Sequence, residues 1–497
     1  MPDLLEDGLM VEEILAEAGM DNTEHPTKIP ENVKSYLINH RMTERILMLR
    51  RKGWTIAYSD LTGAGNPVII DGIAGSGIYS FFNATGYMDS TAITSLTASA
   101  APSGTARGDG RIFRLSTTEN IFSVAAGGTV ATDEGSGNTS FPRCIKAIWT
   151  STQRMLALDA THGLYYSNVL DAQAWNRTTN LLTLASPRDG NNVDLLEYRP
   201  GQVLIAVEDA LLQLDISNPN PSFWQLRTLV VGLKFMTTSR HALTPCGRDV
   251  MLMAKQGVFS LLEIMSTSRG LPKPISYPLN ITISTSSRHD LFAIGHRVFL
   301  YSDQTYKTYS GNGITLSIRA FEYDAEQNRW CALAGTTDSL WARVVTDMAE
   351  FNGVPYGVTT GGNDIFLESG ARDSDGDSAL LFVPYIFETK AFTGGDLKVL
   401  KIGEFLEVTF LGDTGDVPTL EYMTDESGTW TAFTDSLSLS GTTGKTLKIK
   451  IPLGGIDEWY SIKFRWQTID DDPGTSNSKI LSIAVFFRIN NQVLSGG

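Results

Sequence analysis

The sequence predicts a mainly β fold: a β-propeller of about six to eight blades, preceded by a short N-terminal helical arm and followed by a C-terminal β-sandwich. Three observations support this prediction. Hydrophobic residues make up 42% of the chain and charged residues only 19%, and the 497 residues include 46 glycines. Short apolar runs alternate with turn-forming residues, and one hairpin motif recurs along the chain. These features are typical of a turn-rich β protein.

The recurring motif places an apolar pair, usually aliphatic and then aromatic, at the start of a strand. Successive copies are 43, 43, 47, 47 and 40 residues apart, and a last step of 67 residues contains a further hairpin-like stretch, SIRAFEYDAEQNRWCAL. A period of about 40–50 residues predicts propeller blades, which bury both faces of each sheet by packing around an axis. A sandwich whose hairpins resemble one another is the alternative. The copies are GIYSF at Gly77, NIFSV at Asn120, GLYYS at Gly163, ALLQL at Ala210, GVFSL at Gly257, RVFLY at Arg297 and DIFLE at Asp364.

One copy, KQGVFSLLEI at residues 255–264, shows what each position is expected to do. Gly257 is predicted to permit a tight turn, because it lacks a Cβ atom. Val258 and Phe259 are predicted to fill the contact with neighbouring blades. The preceding run VMLMA shows little alternation, which predicts a strand covered on both faces.

Residues 1–53 are predicted to form a helical arm. Apolar side chains recur near helical spacing in residues 2–19 and again in residues 31–53, where the stretch ends in RRKG, a favourable helix C-terminus. An arm of two helices has little core of its own. We therefore expect it to dock onto a partner protein or a neighbouring subunit, or else onto its own propeller.

The propeller is predicted to span residues 54–385 and the C-terminal β-sandwich residues 386–497. Beyond about residue 385 the hairpin motif stops, and five to seven alternating strands follow, joined by Gly, Asp, Ser and Thr turns. The loop ESGARDSDGDSA is the predicted boundary.

The charge of the chain limits the classes of partner. The formal net charge is -15 at pH 7, with a pI near 4.9. A surface that binds nucleic acid by neutralising phosphates needs clustered Lys and Arg, so that mode is not expected. An acidic channel would still suit the passage of DNA, because it gives the phosphate backbone nothing to bind.

Cysteine usage and the apolar runs indicate a cytosolic chain without a membrane span. Cys144, Cys246 and Cys331 lie far apart, in or beside apolar runs, which predicts buried free thiols. The N-terminus is acidic where a signal peptide is basic, and no apolar run approaches about 20 residues.

The sequence predicts no enzyme, and no catalytic, cofactor-binding or metal-binding residue. The six histidines include no HxH or HExxH spacing, and GxSxG is absent. MTDESGTW, ending at Trp430, resembles a sialidase turn motif but has the wrong spacing. The tryptophans of the propeller region are predicted to pack rather than to stack on sugars or bases; these are Trp175, Trp224, Trp330 and Trp341.

Three acidic residues in the boundary loop leave one alternative open. The alternation of Asp373, Asp375 and Asp377 could direct carboxylates at a calcium ion. The spacing is not that of an EF-hand, since Gly376 occupies a ligand-spacer position and no Glu follows at the twelfth position. An exposed acidic linker is the favoured interpretation.

Several stretches resemble the tail hub or nozzle proteins of short-tailed bacteriophages. GLYYSNVLDAQAW at 163–175 is similar to their blade hairpin, and residues 195–264 resemble their paired hairpins. AEQNRWCAL and ETK at 388–390 fit the same pattern. The resemblance covers about residues 160–390 and extends loosely to the C-terminus, whereas the N-terminal arm matches no family.

The resemblance implies a structural protein of the virion tail, made in the host cytoplasm. Members of this family form rings, typically homohexamers, below the portal and adaptor proteins, and contact tail fibres or further tail proteins. The ring retains the genome and then conducts DNA through its lumen during ejection, without sequence-specific binding. A carbohydrate-active propeller with clustered carboxylates, and a generic protein-interaction propeller, are the alternatives.

Overall fold

The structure is a computed structural model. It describes most of the chain from Trp54 onward, together with short strands before it. The described ranges are 3–4, 10–14, 36–38, 40–43, 46–50, 54–59, 61, 69–73, 75–184, 190–267, 270–311, 314–335, 340–360, 364–368, 385–393, 398–411, 419–425, 427–433, 446–468 and 479–489.

Seven antiparallel sheets lie one after another in the described residues between 54 and 368, which confirms a mainly β fold of propeller type. We number the sheets in chain order and call the strand nearest the axis the first strand. Each of the first four sheets has four strands. Their strands are Ile69–Ile73, Gly77–Phe81, Gly86–Met88 and Thr91–Ala92; Gly104–Gly108, Arg111–Leu115, Phe122–Ala125 and Ala131–Asp133; Lys146–Trp149, Met155–Leu158, Gly163–Tyr166 and Leu181–Thr183; Asn192–Arg199, Gln202–Val207, Ala210–Asp215 and Gln225–Val231.

The fifth, sixth and seventh sheets depart from this plan. The fifth has three described strands, followed by the helix Leu261–Ser266. The sixth carries an inserted hairpin, Lys307–Gly311 and Ile314–Ile318, between its second and third strands. The remaining strands are Leu243–Cys246, Asp249–Ala254 and Gly257–Ser260 in the fifth sheet; His289–Ile294, Arg297–Ser302, Ala320–Asp324 and Arg329–Leu333 in the sixth; Val345–Phe351, Val354–Thr359 and Ile365–Glu368 in the seventh. Short 3-10 turns lie at Pro221–Phe223, Tyr277–Leu279 and Leu340–Ala342.

The seven sheets close into a ring. Each first strand contacts the first strand of the next sheet, and the seventh contacts the first. The strand Trp54–Tyr58 pairs with Ile365–Glu368, so the start of the propeller region supplies the outer strand of the last sheet. Trp54 is buried, and its ring lies 5.3 Å from that of Trp341. Covering the faces of neighbouring sheets in this way removes apolar surface from water around the whole ring.

The hairpin motif of the sequence falls on strands in every sheet. In five sheets it opens the third strand, as at Gly257 in the fifth, whereas in the first and sixth it opens the second. The long step of 67 residues therefore reflects this change of strand together with the inserted hairpin. Val258 and Phe259 are buried, as predicted, and all but the first residue of Asp249–Ala254 are buried as well.

The C-terminal strands belong to two sheets. Lys401–Leu411 pairs with Thr446–Pro452 on one side and Lys479–Ile489 on the other. Ile462–Thr468 pairs with Tyr385–Glu388 and with Thr419–Thr424, beside which the short strand Thr431–Ala432 lies. The two sheets contact each other where the rings of Phe410 and Trp466 are 5.0 Å apart.

The prediction of helices in residues 1–53 is wrong for every residue of that segment that the structure describes. Met10–Ile14 pairs with Lys479–Ile489 and with Asp3–Leu4, and Ile46–Arg50 pairs with His40–Thr43 and with Lys479–Ile489. Short apolar runs suit a helix or a strand equally well, and the long apolar strand at 479–489 offers an edge that decides between them.

A strand from the same segment joins the propeller to the C-terminal strands. Tyr36–Ile38 lies between Arg329–Leu333 of the sixth sheet and Tyr385–Glu388, so one sheet of nine strands crosses residue 385. The predicted boundary loop itself lies outside the described residues, apart from Glu368.

Candidate functional site: the axial cavity of the propeller

The axis of the propeller contains a cavity of ≈ 390 Å³ lined by the first strands of all seven sheets. We call it the axial cavity. Its walls are mainly apolar, and its polar side chains come from a few positions. Residues on its wall include Asp71, Thr105, Arg107, Ile148, Trp149, Leu196, Thr244, Phe292 and Met348. Concave, mostly apolar cavities with a few polar groups are the usual place to look for a binding site.

A chain of three side chains crosses the axis at one end of this cavity. Lys146 Nζ lies 3.0 Å from His241 Nδ1, and His241 Nε2 lies 2.9 Å from Asp347 Oδ1. We call these three residues the axial bridge. They come from the third sheet, the segment leading into the fifth sheet, and the seventh sheet, so the bridge connects positions spread around the ring.

The geometry of the axial bridge assigns the protons on His241. An ammonium group can only donate, so Nδ1 accepts from Lys146 and is unprotonated. Nε2 then carries the hydrogen and donates it to Asp347. Lys146 also lies 3.4 Å from Asp194 and 3.3 Å from the carbonyl oxygen of Arg240. The polar atoms of the axial bridge are therefore engaged with one another, and Lys146 and His241 also form part of the cavity wall.

Buried aspartates at the start of three first strands hold adjacent sheets together. Asp194 accepts a hydrogen bond from the Leu243 N–H at 2.8 Å, and Asp290 accepts one from the His241 N–H at 3.0 Å. Asp347 accepts one from the Ile70 N–H at 3.1 Å, which connects the last sheet to the first. Each bond satisfies a backbone donor that would be costly to bury unpaired.

The charges of these aspartates are balanced by neighbouring cations. Arg288 Nε lies 3.0 Å from Asp290 Oδ2. Burial alone would raise the pKa of Asp347, but His241, Arg240 and the Ile70 N–H hold it below its ordinary value. Burial, together with the neighbouring Arg288, lowers the pKa of Arg240. Asp347 and Asp290 oppose this lowering. Opposite charges placed close together in this way let ionised groups remain inside the ring.

The axial bridge and the buried aspartates join sheets that are distant in the sequence. Among the described residues, no three or more His, Cys, Asp or Glu side chains form a group that could hold a metal ion. No helix in the described part of the chain is long and apolar enough to cross a membrane.

The sequence did not single out the axial aspartates or the axial bridge. Their signal is an Asp followed by two apolar residues one strand or two before the hairpin motif, as in DLL at Asp194, DLF at Asp290 and DMA at Asp347. His241 has no such signal, because its partners come from distant parts of the chain.

The other residues considered from the sequence are mostly part of the packing. Trp175, Trp330 and Trp341 are buried, which confirms their predicted role in packing. Trp224 is half-buried against Tyr166, with ring centroids 5.1 Å apart. The guanidinium carbon of Arg465 lies over Trp430, 4.4 Å from the centroid of the Trp430 ring.

The structure shows the environment of the three cysteines, whereas the three aspartates of the boundary loop lie outside the described residues. Cys144, Cys246 and Cys331 are buried free thiols, as predicted. Burial raises the pKa of Cys246 to about 11, so its thiol is not activated. Asp373, Asp375 and Asp377 lie outside the described residues.

Neither a protein-family model nor a curated relative matches the sequence. Solved structures similar in part include BamB from Moraxella catarrhalis, YCF48 bound to D1 peptide, and the computationally designed Ika8 protein. All three are β-propellers. Sequence identities are 12%, 10% and 9%, and TM-scores are 0.36, 0.38 and 0.36. The alignments cover 62%, 63% and 64% of this chain and 98%, 94% and 99% of those chains. Similarity at this level carries no argument about function, and the architecture described above rests on the strand pairing.

Proposed function

We propose that this chain is a structural propeller that binds other proteins and forms, with copies of itself, the nozzle ring of a short-tailed phage. The propeller fold supports a role in protein interaction. The finer assignment rests on the resemblance of residues 163–175 and 195–264 to tail hub and nozzle proteins.

The observation that carries the proposal is the closure of the propeller axis by the axial bridge. Lys146, His241 and Asp347 are engaged with one another across that axis. The axial cavity, with a volume of ≈ 390 Å³, is too small to hold a DNA duplex. A path for DNA therefore has to be a lumen between subunits, which is what a ring of copies provides.

The charge of the chain fits such a lumen. With a net charge of -15, the chain as a whole repels the phosphate backbone, so a duplex could slide past it. A ring closes when each subunit uses the same head-to-tail contact, and we propose six copies by analogy with the resembling family. Portal and adaptor proteins on one side, and fibres or further tail proteins on the other, are the proposed partners.

Negative-stain electron microscopy of the purified full-length chain tests the proposal. We expect closed rings, and the same ring at the tail of virions that contain the chain. Mobility-shift measurements at physiological salt should show no stable DNA complex. A chain that stays monomeric at all concentrations, and is missing from purified virions, would contradict the proposal and leave a cellular protein-interaction propeller as the better reading.

A further inference from the structure

The outer strand of the fourth sheet, Gln225–Val231, has seven residues, more than the outer strand of any other propeller sheet in the described residues. The outer strands of the first three sheets have 2, 3 and 3 residues, and Trp54–Tyr58 has 5. No described strand pairs with its outer side. An outer strand of this length presents a row of backbone N–H and C=O groups that can pair with another strand.

This edge also lacks the residues that normally prevent such pairing. Its sequence, QLRTLVV, contains no Lys, Asp, Glu or Pro. Its one charged side chain, Arg227, donates from Nε and Nη2 to Gln213 Oε1 at 2.8 and 2.6 Å, which holds it against its own sheet. Charged and proline residues on an edge are the common means of blocking edge-to-edge association.

A second outer strand in the same molecule shows the contrast. Thr446–Pro452 also has seven residues and lies at the end of its sheet. It carries Lys448 and Lys450 and ends in a proline. That edge is protected by charge and by a missing N–H group, whereas the edge of the fourth sheet is not.

Exposed apolar side chains lie at both ends of the unprotected edge. Phe223, just before the strand, is 63% exposed, and Val231, at its end, is 71% exposed. Leu226 between them is 39% exposed. If two such strands run antiparallel, the beginning of each lies beside the end of the other. Phe223 of one copy then approaches Val231 of the second, and the same contact forms twice.

We propose that Gln225–Val231 pairs antiparallel with the same strand of a second copy of this chain, joining two fourth sheets edge to edge. The pairing with Ala210–Asp215 shifts register next to Leu211, so Gln225–Thr228 is the regular part of the strand. We place the two-fold axis of the proposed contact at Thr228, the last residue of that regular part, so that Thr228 of one copy faces Thr228 of the other. Arg227 then faces the Leu229 side of the second copy rather than another Arg227, and Leu226 faces its apolar end at Val230–Val231, an aliphatic contact across the two strands.

This contact is separate from the proposed nozzle ring. A two-fold contact uses the same patch on both copies, whereas a cyclic ring uses two different patches on each copy. The edge contact therefore doubles whatever assembly is otherwise present, whether one chain or one ring. Its failure would leave the ring proposal untouched.

Charged substitutions on the edge test the pairing by mass. We expect the Leu226→Lys, Val231→Lys double variant of the full chain to have half the mass of the wild type in multi-angle light scattering. Val130→Lys is the matched control, because Val130 is 60% exposed at the periphery of the second sheet. It should keep the wild-type mass, and circular dichroism should show that both variants are folded. Equal masses for the wild type and the double variant would overturn the proposal.

A thiol cross-link tests where the two-fold axis lies. Thr228→Cys places an exposed thiol near the axis, and the three native cysteines are buried. A short bismaleimide should convert this variant into a covalent pair of twice 54.3 kDa on a denaturing gel. Val130→Cys should not form that product. Failure of Thr228→Cys to cross-link, or equal cross-linking of both variants, would rule out the proposed contact.

Discussion

His241 Nε2 lies 2.9 Å from Asp347 Oδ1, although 106 residues separate the two positions in the chain. Because Lys146 donates to the other ring nitrogen, His241 links two side chains that arrive from opposite parts of the ring. Asp347 also accepts the N–H of Ile70, which belongs to the first sheet. A single carboxylate therefore serves both the closure of the ring and the bridge across its axis.

We expect Asp347→Asn to lower the free energy of unfolding at pH 7 by about 1–3 kcal/mol. One carboxylate oxygen accepts from His241 and Met348 and the other from Ile70, so either orientation of an amide would place its NH2 group against an N–H donor.

The same variant should change the dependence of stability on pH. The folded-state pKa of Asp347 lies below its ordinary value. Its charge therefore stabilises the fold above pH of about 4 and loses that effect as the pH falls further. Urea unfolding at pH 7, 4.5 and 3 should show the gap between wild type and Asp347→Asn narrowing only below about pH 4. A gap that is constant over this range would contradict the assignment.

Arg297 joins the sixth sheet to the seventh, and its loss should be costly. Its Nε lies 2.7 Å from Glu322 Oε1, and its two terminal nitrogens lie 2.8 and 2.7 Å from the Glu368 carboxylate. Although burial opposes the charge, these two carboxylates raise the pKa of Arg297. Arg297→Ala leaves two nearly buried carboxylates without this cation, so we expect a loss of about 3–5 kcal/mol in chemical unfolding.

The exposed ion pair between Lys234 and Asp209 provides the control for Arg297. These side chains are 52% and 43% exposed. Lys234→Ala should change stability by no more than about 1 kcal/mol, because solvent screens the pair. Arg297→Lys should fall between the two results, since it keeps the charge but cannot form the paired hydrogen bonds to Glu368. Similar losses in Arg297→Ala and Lys234→Ala would show that the buried contact is not formed.

The blades could be predicted from the sequence because their signal is local. A strand, a turn and an apolar pair lie within about ten residues, and the period repeats often enough to be recognised. The burial of Val258 and Phe259 follows from the same pattern, since a sheet that lies between two neighbouring sheets has both of its faces covered. The sixth sheet is harder to recognise from the sequence, because the hairpin at 307–318 interrupts the repeat.

The N-terminal segment and the axial bridge depend on distant parts of the chain. Met10–Ile14 becomes a strand because Lys479–Ile489 offers it an edge, and no local pattern contains that information. His241 likewise acquires its role from Lys146 and Asp347. Local propensity is a weak guide wherever tertiary pairing supplies most of the free energy.

Gly257 should tolerate substitution much less well than Gly247. Its φ is +137°, and an added Cβ would lie 2.6 Å from Ser276 Oγ and 2.7 Å from Pro274 Cβ. Gly247 also has a positive φ, +59°, but has nothing within 4 Å. We expect Gly247→Ala to cost about 1–2 kcal/mol from backbone strain and Gly257→Ala to cost clearly more, because the fifth sheet must also shift. Thermal and urea unfolding of both variants measure the difference, and equal losses would argue against the close approach of Pro274.

Glu12 and Lys390 form a buried ion pair that ties the N-terminal segment to the C-terminal sheets. Their atoms are 3.0 Å apart, each side chain is 5% exposed, and Glu12 also accepts the Thr393 N–H at 3.1 Å. Glu12→Ala should destabilise the chain by about 3–5 kcal/mol, because it leaves the Lys390 ammonium buried without its partner.

The double variant Glu12→Leu, Lys390→Met separates the ion pair from the packing around it. It removes both charges and keeps similar volumes, so we expect it to recover a large part of the loss seen in Glu12→Ala. Urea unfolding of the wild type, Glu12→Leu, Lys390→Met and the double variant gives the coupling energy between the two side chains directly. A helical arm free of the C-terminal sheets would instead leave all four proteins equally stable.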